Sequence, residues 1–182
     1  MKAIIKIIAC FIFLSTFYGC TVYKAAVDER HVGTIAGDTI IKGKIVKKFF
    51  DDDKIKSLDI STGCYRGHVY LVGEYDDAVQ KDRAIKIANS VDGVKSVTTY
   101  LLPKKKDDIC GLDDNLRIEA KVKAKLIGDK GIWSTNIDVK SVQCHVVLYG
   151  LVGTKDEIDK AVAHAKSVGG VRDVTTFLEA AK

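Results

Sequence analysis

The sequence predicts an α+β protein built from two tandem copies of one α-β-β-α-β module, each a three-stranded mixed sheet packed by two helices. The first observation behind this is self-similarity. His68-Val69-Tyr70-Leu71-Val72-Gly73 lies over His145-Val146-Val147-Leu148-Tyr149-Gly150 at an offset of 77, and the match carried without gaps to Leu101 over Leu178 gives identity at 15 of 34 positions. The second is that both halves run through the same order of periodicities: helical, alternating, alternating, helical, alternating. The third is composition. With 47% hydrophobic residues, 29% charged residues and one proline in 182, the chain suits packed domains and excludes a disordered, collagen-like or Pro-rich protein.

The first helix of module one carries Ile41, Ile45 and Phe49 at i, i+4 and i+8, and Ile118, Val122 and Leu126 repeat that stripe. Leu58 and Ile60 follow as an alternating strand, matched to Ile137 and Val139 at an offset of 79. On that match the second copy is longer before its first strand and two residues shorter in the turn after it. Gly63-Cys64-Tyr65-Arg66-Gly67 reads as the turn, and Val69–Val72 as the next strand, closed by Gly73. In the second copy Cys144 stands where the first has Gly67. The second helix opens on Thr154-Lys155-Asp156-Glu157, a capping box with a hydroxyl at N-cap and Glu at N3, and Asp77 and Gln80 are the matching pair. Its inner face is small: Ala84, Ala88 and Val91, then Ala161, Ala165 and Val168, which brings the helix close to the sheet. Gly93 and Gly170 fall where a helix C′ residue takes a positive φ. The last strand is expected over Val94–Tyr100. The modules are placed at 40–102 and 115–180, with a polar linker at 103–114.

The N-terminus has a different character. Lys2 and Lys6 precede an apolar run, Ile7–Leu14, too short for a span of ~20 residues, so 1–19 reads as a secretory signal peptide. The closing Gly19-Cys20 pair resembles a lipobox, with Phe17 and Tyr18 where Leu and a small residue are usual. Cys20 would then carry the acyl chains (palmitate among them) and open the mature chain, leaving 20–39 as a lipidated N-terminal tether. The formal charge is +5, and export removes Lys2 and Lys6 but no acid. Such mild basicity fits weak attraction to an anionic surface and requires no nucleic acid. Beyond Cys20 the mature chain keeps Cys64, Cys110 and Cys144, so at most one internal disulfide forms in an oxidising compartment, and the spacing leaves the pair open.

Gly67-x-Val69-x-Leu71-x-Gly73, followed by a helix ending in Val91-Asp92-Gly93-Val94-x-x-Val97, resembles the BON domain. Upstream, Asp28-x-Arg30-x-Val32-Gly33-Thr34 and Asp38 are similar to the approach segment of two-BON outer-membrane lipoproteins. The resemblance covers the mature chain. It implies a lipoprotein facing the periplasm that binds phospholipid and supports envelope integrity under stress, and Thr21 rather than Asp after the lipidated Cys implies sorting to the outer membrane.

No G-x-S-x-G, H-E-x-x-H, Walker A or G-x-G-x-x-G pattern occurs, so neither an enzyme nor a cofactor or metal is expected. His68 and His145 recur without a repeated Asp, Glu or Cys, which makes them structural; Asp51-Asp52-Asp53 lacks the spacing of a calcium loop. His164 replaces Ile87 and has no repeated partner. The binding candidates are basic. Arg117, Lys121 and Lys125 form a ladder opposite Ile118, Val122 and Leu126, with Lys123 on the flank; Lys44, Lys47 and Lys48 are their echo in module one. A helix with such a face sits on an anionic headgroup layer. Trp133, in a Gly-flanked loop, can dip into the interface, and Lys104-Lys105-Lys106 can touch headgroups. The expected partner is therefore an anionic phospholipid membrane, met by Arg117, Lys121, Lys123, Lys125 and Trp133. The alternative is a periplasmic protein-interaction or chaperone-like adaptor whose open sheet faces or edges engage an envelope protein. No pattern fixes an oligomeric state.

Overall fold

The computed structural model describes residues 32–55 and 59–181. The signal peptide, Cys20, the first part of the tether and Leu58 lie outside the described residues. The chain order is α1 (Val32–Phe50), β1 (Ile60–Tyr65), β2 (His68–Tyr75), α2 (Ala78–Asn89), β3 (Ser96–Pro103), then α3 (Leu112–Gly128), a 3-10 turn (Ser134–Asn136), β4 (Ile137–Val142), β5 (His145–Val152), α4 (Lys155–Lys166) and β6 (Asp173–Ala180). Each module is a three-stranded sheet in which an antiparallel hairpin, β1-β2 or β4-β5, gains a parallel third strand through a crossover helix.

Every strand of module one maps onto module two at the single offset of 77. Ile60 pairs with Gly73, and Ile137 with Gly150. The 79-residue match is therefore corrected: Ile60 corresponds to Ile137, and the second copy is neither longer before its first strand nor shorter in the turn. Alternation alone could not fix that register, because a shift of two residues preserves which face each side chain takes. The turn is also tighter than expected. Gly63, Cys64 and Tyr65 are paired strand residues, and only Arg66-Gly67 turns, both at positive φ (53° and 82°), as a two-residue hairpin of the I′ kind requires. Gln143 and Cys144 take the same shape at 50° and 60°. The last strands start later than expected, at Ser96 and Asp173. Gly93 and Gly170 do have positive φ, but they lie past C′, since the helix caps are Ser90 and Ser167.

The first helix begins at Val32, inside the segment 20–39 assigned to the tether. Asp38, in its second turn, explains why. Its buried carboxylate accepts from the backbone N–H of Arg66 and of Gly67, each at 2.8 Å, and so fastens the helix to the hairpin turn. Asn115 repeats the device in module two, accepting from Cys144 N at 3.0 Å and from Ser141 Oγ at 2.7 Å. Losing the Asp38 acceptor strands two backbone donors beneath the helix at about 1–3 kcal/mol. Asp38→Ala is therefore expected to lower the urea midpoint clearly, and Asp38→Asn to lower it less, as Asn115 already does this task.

Ile41, Ile45 and Phe49 pack with Ala84, Ala88, Val69 and Leu71 in one core, and Ile118, Val122 and Leu126 with Ala161, Ala165, Val146 and Leu148 in the other. A third core lies between the modules. The sheet faces away from the helices are packed on each other: Tyr65, Tyr70 and Val72 meet Val142, Val147, Tyr149 and Leu151, all at most 6% exposed. Tyr149 stacks on Tyr70 at 5.3 Å and meets Tyr65 edge-on at 6.5 Å. It also lies over Gly63, where a Cβ would come within 2.3 Å of the ring. Tyr65 Oη donates to Asp138 at 2.8 Å, and Gln143 Nε2 donates to Glu74 at 2.8 Å and to the Pro103 carbonyl at 2.8 Å. The sheet faces expected to be open for a protein partner are therefore consumed internally. The four layers run helices, sheet, sheet, helices.

Candidate functional site

With both sheet faces buried, the helix layers, the sheet edges and the groove between the modules are what the protein offers. α3 is the helix chosen from sequence. Ile118, Val122 and Leu126 point to the core as predicted, and buried Glu119 accepts from Ser141 N at 3.0 Å, pinning the helix to β4. Arg117, Lys121, Lys123 and Lys125 are all exposed. They are not equivalent. Arg117 pairs with Asp114 at 3.3 Å, and Lys123 lies 3.9 Å from Glu119, which also takes Lys140 at 3.6 Å. Lys121 and Lys125 have no acidic partner among the described residues, so their charge faces outward.

A second exposed ridge was missed. Leu112 is 75% exposed, Leu116 52% and Ile127 72%, on the opposite flank of α3 from Lys121 and Lys125, and Leu112 and Leu116 border the groove between the modules. The i, i+4 spacing of Leu112 and Leu116 was visible, but those residues border the inward stripe and merge with it when only periodicity is read. Exposed apolar residues on one flank and unpaired lysines on the other make the solvent side of α3 amphipathic in its own right. Trp133 follows at the C-terminal end of α3, 45% exposed, with its backbone N–H donating to Glu157 at 3.1 Å. Glu157 is the N3 residue of the expected capping box. Its backbone N–H donates to Thr154 Oγ1 at 3.3 Å, and its carboxylate holds the Trp133 loop. His164 does have a partner, Asp129, at 2.8 Å, and the imidazole holds that carboxyl below its usual range.

The linker is clamped. Cys110 and Cys144 form the disulfide, tying the start of α3 to the second hairpin turn, and Cys64 stays a buried thiol. Its separation of 34 residues gives about 3–4 kcal/mol of stabilisation by restricting the unfolded chain. The bond accounts for a cysteine at positive φ where module one has glycine. Lys104 is held by Asp59 and by Asp76, at 3.3 Å from the latter, so it is not available to a headgroup. Lys105 and Lys106 border a groove of about 740 Å³ between the modules, lined also by Glu74, Leu116, Glu119 and Lys140. Its mixed charge favours no single ligand.

Arg172 grips both oxygens of Asp108, at 2.8 and 2.9 Å, and also donates to the Gln143 carbonyl at 3.1 Å. The guanidinium hydrogen bonds, then that of Cys110 N, hold the Asp108 carboxyl at about 2, against 3.8 ordinarily. A depressed folded-state value means the clamp's contribution is complete above about pH 4 and is lost as pH falls toward 2. The Asp108 carboxyl should accordingly titrate near 2 by NMR, and Arg172→Ala should return it toward 3.8.

His68 Nδ1 and Ser96 Oγ share a 2.6 Å hydrogen bond between neighbouring strands, a structural role. Among the described residues no group of three or more His, Cys, Asp or Glu side chains is placed to hold a metal, and no helix is long and apolar enough to cross a membrane.

Comparison with known proteins follows the same two-module division. The BON domain family matches residues 37–102 and 114–182. The osmotically-inducible protein Y of Escherichia coli (strain K12) is 32% identical over 150 residues, covering 81% of this chain and 75% of that protein. The outer membrane lipoprotein DolP of Haemophilus influenzae is 28% identical over 157 residues, covering 86% and 81%. Among solved structures, the C-terminal domain of CdsD, a structural protein of the type III secretion system of Chlamydia trachomatis, aligns over 77% of this chain and 96% of that one, at 15% identity and a TM-score of 0.30.

Proposed function

The chain belongs to the BON-domain family, and from that premise we propose that it is an envelope lipoprotein, anchored through Cys20 in the outer membrane and facing the periplasm, that binds anionic phospholipid and supports envelope integrity without turning over a substrate. The observation that carries this reading is the solvent side of α3, which exposes Lys121 and Lys125 along one flank and Leu112, Leu116 and Ile127 along the other. The lysines meet phosphates at ~1 kcal/mol each near the surface, and the apolar ridge reaches the acyl boundary. Trp133 extends the contact at the end of the helix. Two relatives support the placement: one is named as an outer membrane lipoprotein, the other as osmotically inducible. An anchor would also raise the effective concentration of headgroups, so a patch of modest affinity suffices.

The experiment is cosedimentation of the chain beginning at Thr21 with phosphatidylglycerol vesicles at low salt. This chain keeps every described residue. Binding is expected, falling steeply with salt. Lys121→Glu with Lys125→Glu should weaken it about thirtyfold or more, from the loss of at least ~2 kcal/mol. Absence of binding by the unaltered chain, or indifference to both substitutions, would refute the reading.

A further inference from the structure

The basic face of α3 has a counterpart, and the fold puts it on the other side of the molecule. At the 77-residue offset Lys44 corresponds to Lys121, Lys48 to Lys125 and Phe50 to Ile127. α1 is the more cationic helix of the two. It carries Lys42, Lys44, Lys47 and Lys48, and its one acid is Asp38, buried against the hairpin turn. α3 sets Arg117 and three lysines against Asp113, Asp114 and Glu119. Lys47 is paired with Asp51, while Lys42, Lys44 and Lys48 are exposed and have no acidic partner among the described residues. Apolar residues stand beside them: Ile40, one turn before Lys44, is 57% exposed, and Val46 and Phe50, one and two turns after Lys42, are 43% and 78% exposed. Because each sheet spends its other face on the inter-module core, α1 and α3 belong to the two outermost layers of a four-layer sandwich. A single flat surface cannot lie along both layers.

We infer that α1 is a second surface for anionic phospholipid, turned away from the first, so that one molecule bridges two anionic bilayer surfaces. Charge complementarity argues for this occupant: a lysine face without competing acid, flanked by exposed apolar side chains, matches a headgroup layer over acyl chains. The inference rests on the lipid-binding reading of α3 and adds to it a second side and a bridging geometry. α1 begins about a dozen residues after Cys20, a length that reaches at most about 40 Å when extended. In an anchored molecule that places α1 within reach of the anchoring leaflet and leaves α3 free to meet another surface.

The test uses the chain beginning at Thr21 with unilamellar vesicles of phosphatidylglycerol and phosphatidylcholine, and with vesicles of phosphatidylcholine alone. Binding is read by cosedimentation, and bridging by energy transfer between two separately labelled vesicle populations together with light scattering. The unaltered chain is expected to bind the anionic vesicles and cluster them, and to do neither with the neutral ones. Lys44→Glu with Lys48→Glu, and separately Lys121→Glu with Lys125→Glu, should each weaken binding without abolishing it, the remainder passing through the other face, while clustering falls to the protein-free level. All four lysines are exposed, and thermal unfolding checks that each variant keeps its fold. Binding without clustering at every protein-to-lipid ratio would overturn the second surface while leaving the first in place. Clustering that survives Lys44→Glu with Lys48→Glu would also overturn it, pointing to paired molecules that each use one face. No binding by the unaltered chain would remove the reading of α3 itself.

Discussion

Gly150→Ala should be among the most damaging single substitutions in this chain, lowering stability by about 2–6 kcal/mol. A Cβ there would sit 2.1 Å from the Asn136 carbonyl oxygen, at a φ of +142° that side chains rarely adopt. The neighbour is backbone, so no rotamer change relieves the contact. Backbone strain of about 1–3 kcal/mol adds to an overpacking cost of similar size. Gly73→Ala should behave alike, because its Cβ would lie 1.9 Å from the Asp59 carbonyl oxygen, where the first hairpin is joined by the Glu74 N to Asp59 O hydrogen bond. Gly43 provides the contrast. It lies inside α1 with nothing within 4 Å of its added Cβ, so Gly43→Ala should gain about 0.5–1 kcal/mol from helix propensity. Urea unfolding of the three variants decides the matter. Equal midpoints for Gly150→Ala and the unaltered chain would show that this strand junction is not so tightly closed.

Tyr149→Ala should cost about 3–5 kcal/mol and separate the unfolding of the two modules. The ring is 3% exposed, stacked on Tyr70, edge-on to Tyr65 and seated on Gly63. Burial, with Asp138 and Glu119 nearby, pushes the Tyr149 hydroxyl well above the usual tyrosine range, so it enters this contact neutral. Truncation leaves a cavity in the middle of the inter-module core, where the polar ties of Tyr65 to Asp138 and Gln143 to Glu74 lie at the margin. Calorimetry of the unaltered chain should show one cooperative transition, and Tyr149→Ala two. A single transition with an unchanged midpoint would mean that the sheets do not depend on this contact. The outcome bears on function, because the opposed placement of α1 and α3 exists only while the sheets remain face to face.

Several features of the candidate surface are visible in the sequence. Arg117, Lys121 and Lys125 were legible as a ladder because a helix of 3.6 residues per turn brings every fourth residue to one ridge. Which of these charges is free was not legible. Asp114 and Glu119 take up Arg117 and Lys123 through contacts that depend on rotamers and on the docking of α3 against β4. Leu112, Leu116 and Ile127 were hidden for the opposite reason, since apolar residues in an amphipathic helix are credited to the core until the core is seen to be full. The inter-module contact did leave a trace. Val69-Tyr70-Leu71-Val72 and Val146-Val147-Leu148-Tyr149 are continuous apolar runs, the pattern of strands buried on both faces. On the faces turned away from the helices the copies differ, with Tyr70 where the other copy has Val147 and Val72 where it has Tyr149, so that one tyrosine from each sheet stacks on the other across the contact.

What the sequence determined alone was everything set by local periodicity and by repetition: two modules, their α-β-β-α-β order, the inward stripes of the helices, the N-caps Asp77 and Thr154, and the positive-φ glycines. Those follow from interactions within a few residues, or from one pattern written twice. Only tertiary structure decided the strand register, the pairing of Cys110 with Cys144, the fastening of the hairpin turns by Asp38 and Asn115, and the packing of sheet on sheet. Each of these joins residues far apart in the chain whose approach depends on shape complementarity, and complementarity between two surfaces is not written in the periodicity of either one.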